Sequence, residues 1–134
     1  MFLVDTNIWL ERLLDQARSD EVGRFLDVTP SDRLFISDFS FHSIGIIMMR
    51  MNQADQFLNF VRDVFIDAGV GLVCLKPEAT RRIIEVAERF SLDFDDAYQY
   101  GAAETHALIT VTFDRDFDRT ERGRKEPVDI VGHT

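Results

Sequence analysis

The chain has 134 residues, 46% hydrophobic and 29% charged. That balance suits one compact domain over residues 1–134 and excludes a wholly disordered chain. Fifteen Lys and Arg against 24 Asp and Glu give a formal charge of −9, which excludes nucleic-acid binding through a broad cationic surface. No apolar run is long enough to span a bilayer, and the opening MFLVDTNIW lacks the basic flank and cleavage site of a signal peptide. A cytoplasmic protein without a membrane partner is therefore expected. The single Cys74, inside the apolar run Val70 to Leu75, is expected to be a buried thiol without a redox role.

In chain order, Phe2 to Val4 reads as a strand, Thr6-Asn7 as a turn, and Ile8 to Leu14 as a short helix. Ser19 is placed to cap a second helix carrying Val22, Phe25 and Leu26, which Pro30 stops. Arg33 to Ser37 gives a second strand. Phe39 to Met51 has the apolar spacing of a largely buried helix, with Gly45 where another helix can pack closely. Ala54 to Ala68 predicts a further helix, Leu72 to Leu75 a strand, and Pro77 the start of a helix bearing Ile83, Ile84, Ala87 and Phe90. The next helix begins around Asp93 to Asp96 and leads into Ala107 to Thr112, a strand apolar on both faces. Val128 to Val131 is expected to be the last strand. Strands that alternate with helices imply parallel pairing and an α/β fold, whose ligand site gathers at the carboxyl ends of the strands.

Acids fall at those ends. Asp5 follows the first strand, Asp95 and Asp96 open the helix before the fourth, and Asp114 and Asp116 follow that fourth strand. Two carboxylates about 4 Å apart repel by roughly 4 kcal/mol at an effective dielectric constant near 20, a cost that a bound cation removes. Hard oxygen donors select Mg²⁺ or Mn²⁺, and no Cys/His spacing for zinc is present. Helix capping and turn formation account equally well for each of these residues taken alone, Asp93 or Asp95 at a helix start and Asp114 after a strand included.

Four segments then carry a family resemblance. VDTN at Val4 to Asn7, FISDFS at Phe35 to Ser40, DDAYQYGAAE at Asp95 to Glu104 and VTFDRDF at Val111 to Phe117 resemble, in order, the motifs of PIN-domain proteins, close to the single-domain VapC-like toxins. The resemblance implies a three-layer α/β/α sandwich with a central, mainly parallel sheet. It also implies a Mg²⁺- or Mn²⁺-dependent endoribonuclease site formed by Asp5, Asp96, Asp114 and Asp116, supported by Thr112, Thr6 and Asn7. The implied setting is a type II toxin–antitoxin pair, with RNA as substrate, a homodimer, and a small antitoxin laid across the active-site groove.

The pattern breaks at one position: Ser43 stands where PIN nucleases usually carry Glu, three residues after Ser40, with His42 beside it. Loss of a carboxylate ligand lowers metal affinity. This leaves a second reading, a catalytically weakened PIN-like module that binds RNA or a protein. A third, a hydrolase of small phosphate esters, has no nucleophile signature. His42 is either a ligand or phosphate contact, or a structural donor on an apolar helix; His106 is expected to cap helix carbonyls. Arg115, Arg119 and Arg122, with Arg124 and Lys125, form the clearest cationic stretch. It serves either to steer a phosphate backbone or as a loop paired with Asp118, Glu121 and Glu126. Phe57, Phe60 and Phe65 offer either partner contacts or core, and the count of twelve Phe favours core. Phe113 and Phe117 are read as packing residues rather than base-stacking platforms.

Overall fold

The computed structural model describes residues 1–132. Four short strands, β1 (Phe2–Val4), β2 (Leu34–Ser37), β3 (Gly71–Val73) and β4 (Ile109–Val111), form one parallel sheet in the order β3-β2-β1-β4. The helices are α1 (Thr6–Leu13), α2 (Ser19–Val28), α3 (Asp38–Arg50), α4 (Ala54–Val61), α5 (Thr80–Phe90), α6 (Phe94–His106) and α7 (Pro127–Val131). Strand alternation distributes them over two faces. Val4, Leu34 and Ile36 face a core built with Ile8, Trp9, Phe25, Ile44 and Met48, while Leu3 and Val73 face Ala102 and Ala103 of α6. The result is the α/β/α sandwich expected. From β1 the chain steps outward to β2 and β3, then returns to place β4 on the other side of β1. The carboxyl ends of β1 and β4 therefore flank the switch point where open parallel sheets bind ligands.

Several local expectations are corrected. Val128 to Val131 is helical, because Pro127 at the first helical position and the Asp129 carboxylate, which accepts the Glu126 N–H at 2.8 Å, start a helix there. The chain does run beside β4, but only as a single bridge between Val111 and Lys125. Cys74 is exposed: β3 is an edge strand, and alternation turns Val73 inward but Leu72 and Cys74 outward. β4 is shorter than Ala107 to Thr112 and not apolar on both faces in effect. Ala107 is a left-handed residue closing α6, and Ile109 is exposed. β2 and β3 are likewise shorter than expected, since Ser31–Arg33 forms a 3₁₀ turn and β3 ends at Val73. Arg18, not Ser19, is the N-cap of α2. Ser19 is buried and its carbonyl and hydroxyl accept from Arg12. The helix from Ala54 changes to a π turn over Arg62–Asp67, and Pro77–Ala79 is a 3₁₀ turn ahead of α5. Gly45 behaves as expected, for a Cβ there would sit 3.2 Å from the Phe57 ring of α4.

Phe60 and Phe117 are buried, and Phe57, Phe65 and Phe113 pack partly buried against the core, as the packing reading required. Among the described residues no helix is long and apolar enough to cross a membrane.

Candidate functional site

Asp5, the residue after β1, caps α1 by accepting the Thr6 N–H at 2.8 Å, and it is buried. Its Oδ1 also accepts from Gln99 Nε2 at 2.8 Å, and its Oδ2 accepts from the Thr112 hydroxyl at 2.9 Å and from Asn7 Nδ2 at 3.5 Å. Thr112 is the hinge pin of this arrangement. Besides donating to Asp5, its Oγ1 accepts from Asn7 Nδ2 at 2.9 Å and from the Asp114 N–H at 3.0 Å. Asn7 completes the tie by accepting the Phe113 N–H at 3.1 Å. The segments after β1 and β4, more than a hundred residues apart, are thus stitched side to side.

Above this floor lies a cavity of about 320 Å³ lined by Asp5, Thr6, Asn7, Leu10, Phe39, Ser43, Asp93, Asp95, Asp96, Asp114 and Asp116. Asp96, Asp114 and Asp116 each present a carboxylate oxygen, all within 4.8 Å of one another. Capping and site formation coexist here. Asp93 caps α6 through the Asp96 N–H at 2.9 Å, and Asp114 accepts the Asp116 N–H at 2.9 Å, which aims Asp96 and Asp116 into the cavity.

The electrostatics are those of crowded carboxylates, with Arg119 3.6 Å from the exposed Asp116. Burial raises the Asp5 carboxyl above its usual range, despite the donors from Gln99, Thr112 and Thr6. Asp96 is pushed up to about 7, first by burial and then by the charges of Asp114, Asp93 and Asp5. Three carboxylate oxygens within 4.8 Å of one another are near enough for side-chain adjustment to bring them onto one cation. The donor set, all hard oxygens, would fit a divalent cation held by Asp96, Asp114 and Asp116; Asp5, expected among the ligands, is not in the 4.8 Å group and lies buried beneath it with both oxygens hydrogen-bonded.

The PIN domain profile matches residues 2–123. The chain belongs to the PIN domain family. No curated protein sequence gives a match. Among solved structures, this PIN domain resembles a toxin–antitoxin complex from Klebsiella pneumoniae at 20% identity, with a TM-score of 0.75 over 95% of this chain and 98% of that one. It resembles FitAcB from Neisseria gonorrhoeae at 20% identity and a TM-score of 0.74, covering 95% of this chain and 98% of that one. It also resembles VapC20 from Mycobacterium tuberculosis, described as a Sarcin-Ricin loop cleaving toxin, at 16% identity and a TM-score of 0.74, covering 88% of this chain and 93% of that one. These likenesses are of fold.

Within this PIN domain the expected acids, together with Thr6, Asn7 and Ser43, line one cavity, and Thr112 lies buried directly beneath them. His42 does not join them. It is exposed and borders a separate apolar depression with Phe41, Ile46 and Met49, because one step along α3 turns it about 100° away from Ser43. Among the described residues His106 makes no hydrogen bond to the end of α6, where the Ala103 and Glu104 carbonyls accept from the Ala107 and Leu108 N–H groups.

The basic segment is largely committed to the protein itself. Arg119 donates to the Ser91 carbonyl at 2.8 Å and lies 3.6 Å from Asp116; Arg122 donates to the Leu108 carbonyl at 3.0 Å. Arg124 binds Asp118 and Glu126, while Glu121 pairs with Arg89 rather than within the segment. Arg115 is exposed and free of ion pairs among the described residues.

Sequence reasoning missed Gln99. It is buried in α6, and its carboxamide joins Asp5 to the Ser40 hydroxyl at 2.8 Å and to the hydroxyl of Ser37, the last residue of β2. Its place three residues after Asp96 put it on the adjoining helical face, and a polar residue among Ala97, Tyr100, Ala102 and Ala103 was the available signal.

Proposed function

We propose that this PIN domain, as a single domain over residues 1–134, is a metal-dependent endoribonuclease that hydrolyses RNA phosphodiester bonds, and that it is the toxin of a type II toxin–antitoxin pair acting in the cytoplasm. The observation that carries the proposal is the convergence of Asp96, Asp114 and Asp116 within 4.8 Å over the buried Asp5. Bound Mg²⁺ or Mn²⁺ supplies a water activated at neutral pH and a stabilising charge for the departing oxygen. The residues of the chain supply position: Asp96, Asp114 and Asp116 hold the cation, and Thr112 and Asn7 fix Asp5 and Asp114 relative to each other. Gln99 holds the Asp5 oxygen in place, and the carboxylate of Asp5, once a cation is bound above it, would add to the negative field beneath that cation. Arg115 and Lys125, both exposed and without ion pairs among the described residues, are the side chains of the basic segment left to meet a phosphate. The similarity to toxin–antitoxin complexes supports a small protein antitoxin, and we extend the same reading to a homodimer.

Cleavage of a mixed RNA pool with Mg²⁺, with Mn²⁺ and with chelator tests this directly. Wild type is expected to cut with either metal. Asp5→Asn and Asp96→Asn, checked for folding by circular dichroism, are expected to lose at least about a hundredfold in rate, as removal of a group serving metal-ion catalysis does. Undiminished cutting in chelator sinks the proposal.

Ser43 on the cavity wall, where a Glu is usual, favours one second reading: an RNA-binding PIN domain with weakened turnover. RNA binding without metal-dependent cleavage selects it.

A further inference from the structure

Of the fifteen lysines and arginines in this chain, one makes an ion pair with an acid of the cavity among the described residues: Arg119, 3.6 Å from Asp116. The reason is local. Both residues lie in the 3₁₀ turn Arg115–Arg119, whose three residues per turn stack positions i and i+3 on one side. The same guanidinium nitrogen donates to the Ser91 carbonyl at 2.8 Å. Ser91 is the left-handed residue that closes α5, two positions before Asp93, the cap of α6. Arg119 therefore reaches from the turn that carries Asp116 to the loop that leads into Asp96.

Two roles fit such a side chain, and they predict opposite effects on a bound cation. As a strut between the two segments, Arg119 would help a cation to bind; as a positive charge beside Asp116, it opposes binding. The strut is redundant. Asp96 and Asp116 are each aimed by their own backbone N–H, bound to the Asp93 and Asp114 carboxylates at 2.9 Å. The 3.6 Å contact is also longer than a good hydrogen bond, so it carries charge but little direction. Coulomb energy falls slowly with distance, and the affinity of oxygen-ligand sites follows their charge. Charge is the effect that wins.

We propose that Arg119 is a built-in counter-ion of the acid cluster, which a divalent cation must displace from Asp116, so that the site binds metal more weakly than its carboxylates alone would. The inference rests on the reading of Asp96, Asp114 and Asp116 as a cation site and assigns that site its regulation. The bond to the Ser91 carbonyl keeps the displaced guanidinium at the rim, ready to return when the cation leaves. Arg119 thereby sets the divalent-cation concentration at which the site fills.

The test titrates Mg²⁺ by calorimetry into wild type, Arg119→Gln and Arg119→Lys, without RNA. Gln keeps a donor for the Ser91 carbonyl and removes the charge, whereas Lys keeps the charge. The Arg119 side chain is about half exposed, so both variants are expected to fold, which thermal melts check. At low salt Arg119→Gln is expected to lower the Mg²⁺ Kd about 3- to 10-fold, the scale of one unit charge close to a divalent cation in a water-like dielectric. In about 1 M KCl, where the screening length is about 3 Å, the gain should fall below about twofold. Arg119→Lys should stay near wild type at both salt concentrations. In wild type the Arg119 Nε–H resonance should shift along the same Mg²⁺ titration curve.

An Arg119→Gln protein that binds Mg²⁺ no more tightly than wild type at low salt overturns the counter-ion and leaves the cation site standing; weaker binding shows the strut instead. A gain that survives high salt, an equal gain in Arg119→Lys, or an Arg119 resonance that ignores Mg²⁺ also overturns it, since charge exchange at Asp116 is then not the cause. If neither wild type nor Arg119→Gln binds Mg²⁺, the cation site itself fails and takes the counter-ion with it.

Discussion

Two charge clusters in this protein, both assembled from distant segments, have opposite characters. In one, Arg18 of the α2 N-terminus binds Glu21 and, 108 residues away, Glu126 at 2.7 Å, with its guanidinium 3.8 Å over the Phe113 ring. Arg124 binds Glu126 and Asp118 on the other side. The cations hold Glu126 below its ordinary value. In the other, Asp5, Asp96, Asp114 and Asp116 converge with Arg119 only at the exposed edge, 3.6 Å from Asp116, and Asp96 is raised to about 7. Carboxylates are thus present in both, but the second set is neutralised from within only at that edge. A cluster closed by its own counter-charges ties α2, α7 and the loop after β4 together; a cluster left open stores repulsion that an external cation relieves.

Gln99→Leu is expected to break the open cluster most severely. It removes the donor to Asp5 and the partner of the Ser37 and Ser40 hydroxyls in a dry interior, for a loss of about 3 kcal/mol in urea unfolding, at roughly 1 kcal/mol for each of three groups that keep another hydrogen bond. A Gln99→Leu protein as stable as wild type would show that the carboxamide does not bind these groups.

The pH dependence of the two clusters has opposite signs. In the metal-free folded chain Asp96 keeps its proton up to about pH 7, while the unfolded chain releases it near 3.8. The folded state is the more protonated between these values, so this contribution to stability is lost as pH rises through 7. Glu126 is lowered from 4.5, so its contribution is present above that value and lost as pH falls through its folded value. Metal-free Asp96→Asn at pH 8 is therefore expected to be more stable than wild type, by on the order of 1–2 kcal/mol once solvent screening of a half-buried carboxylate is allowed for. Saturating Mg²⁺ should remove that advantage by stabilising wild type alone. Calorimetric melts at pH 5 and pH 8, with and without Mg²⁺, measure both effects; an identical pH profile in wild type and variant would remove the repulsion argument.

Arg124→Ala isolates the closed cluster. It should cost about 1–2 kcal/mol, because its largely buried guanidinium serves two carboxylates and the Thr112 carbonyl, and should leave Mg²⁺ affinity within about twofold. Ser43→Glu adds a charge to the open cluster instead. Mg²⁺ titration by calorimetry should show affinity rising by about 3- to 10-fold, in line with the dependence of such sites on ligand charge. An unchanged affinity would mean that position 43 stands too far from the cation to serve it.

Much of the plan was legible from residue order. Alternating apolar runs and helical spacings placed every strand of the sheet to within a few residues, and Asp5, Asp114 and Asp116 stood out because short polar motifs follow strands, Asp96 because an acidic pair opens the helix before the last strand. The failures share a cause. Val128 to Val131 is apolar enough for either a strand or a helix, and Pro127 with Asp129 decided for the helix. Cys74 and Ile109 look buried in a linear apolar run, but each lies at or just past the end of an edge strand with one side open to water.

From its sequence alone, the protein's α/β class, its family motifs and the identity of its acids were determined, because hydrophobic period and turn chemistry are local. Tertiary structure decided the strand order that sets β1 against β4, and the burial of Gln99 against Asp5 across 94 residues. It also decided which arginines were already bound, Arg119 to the Ser91 carbonyl among them. Burial and charge pairing depend on which distant residues share a few ångströms of space, and that is settled only when the layers close.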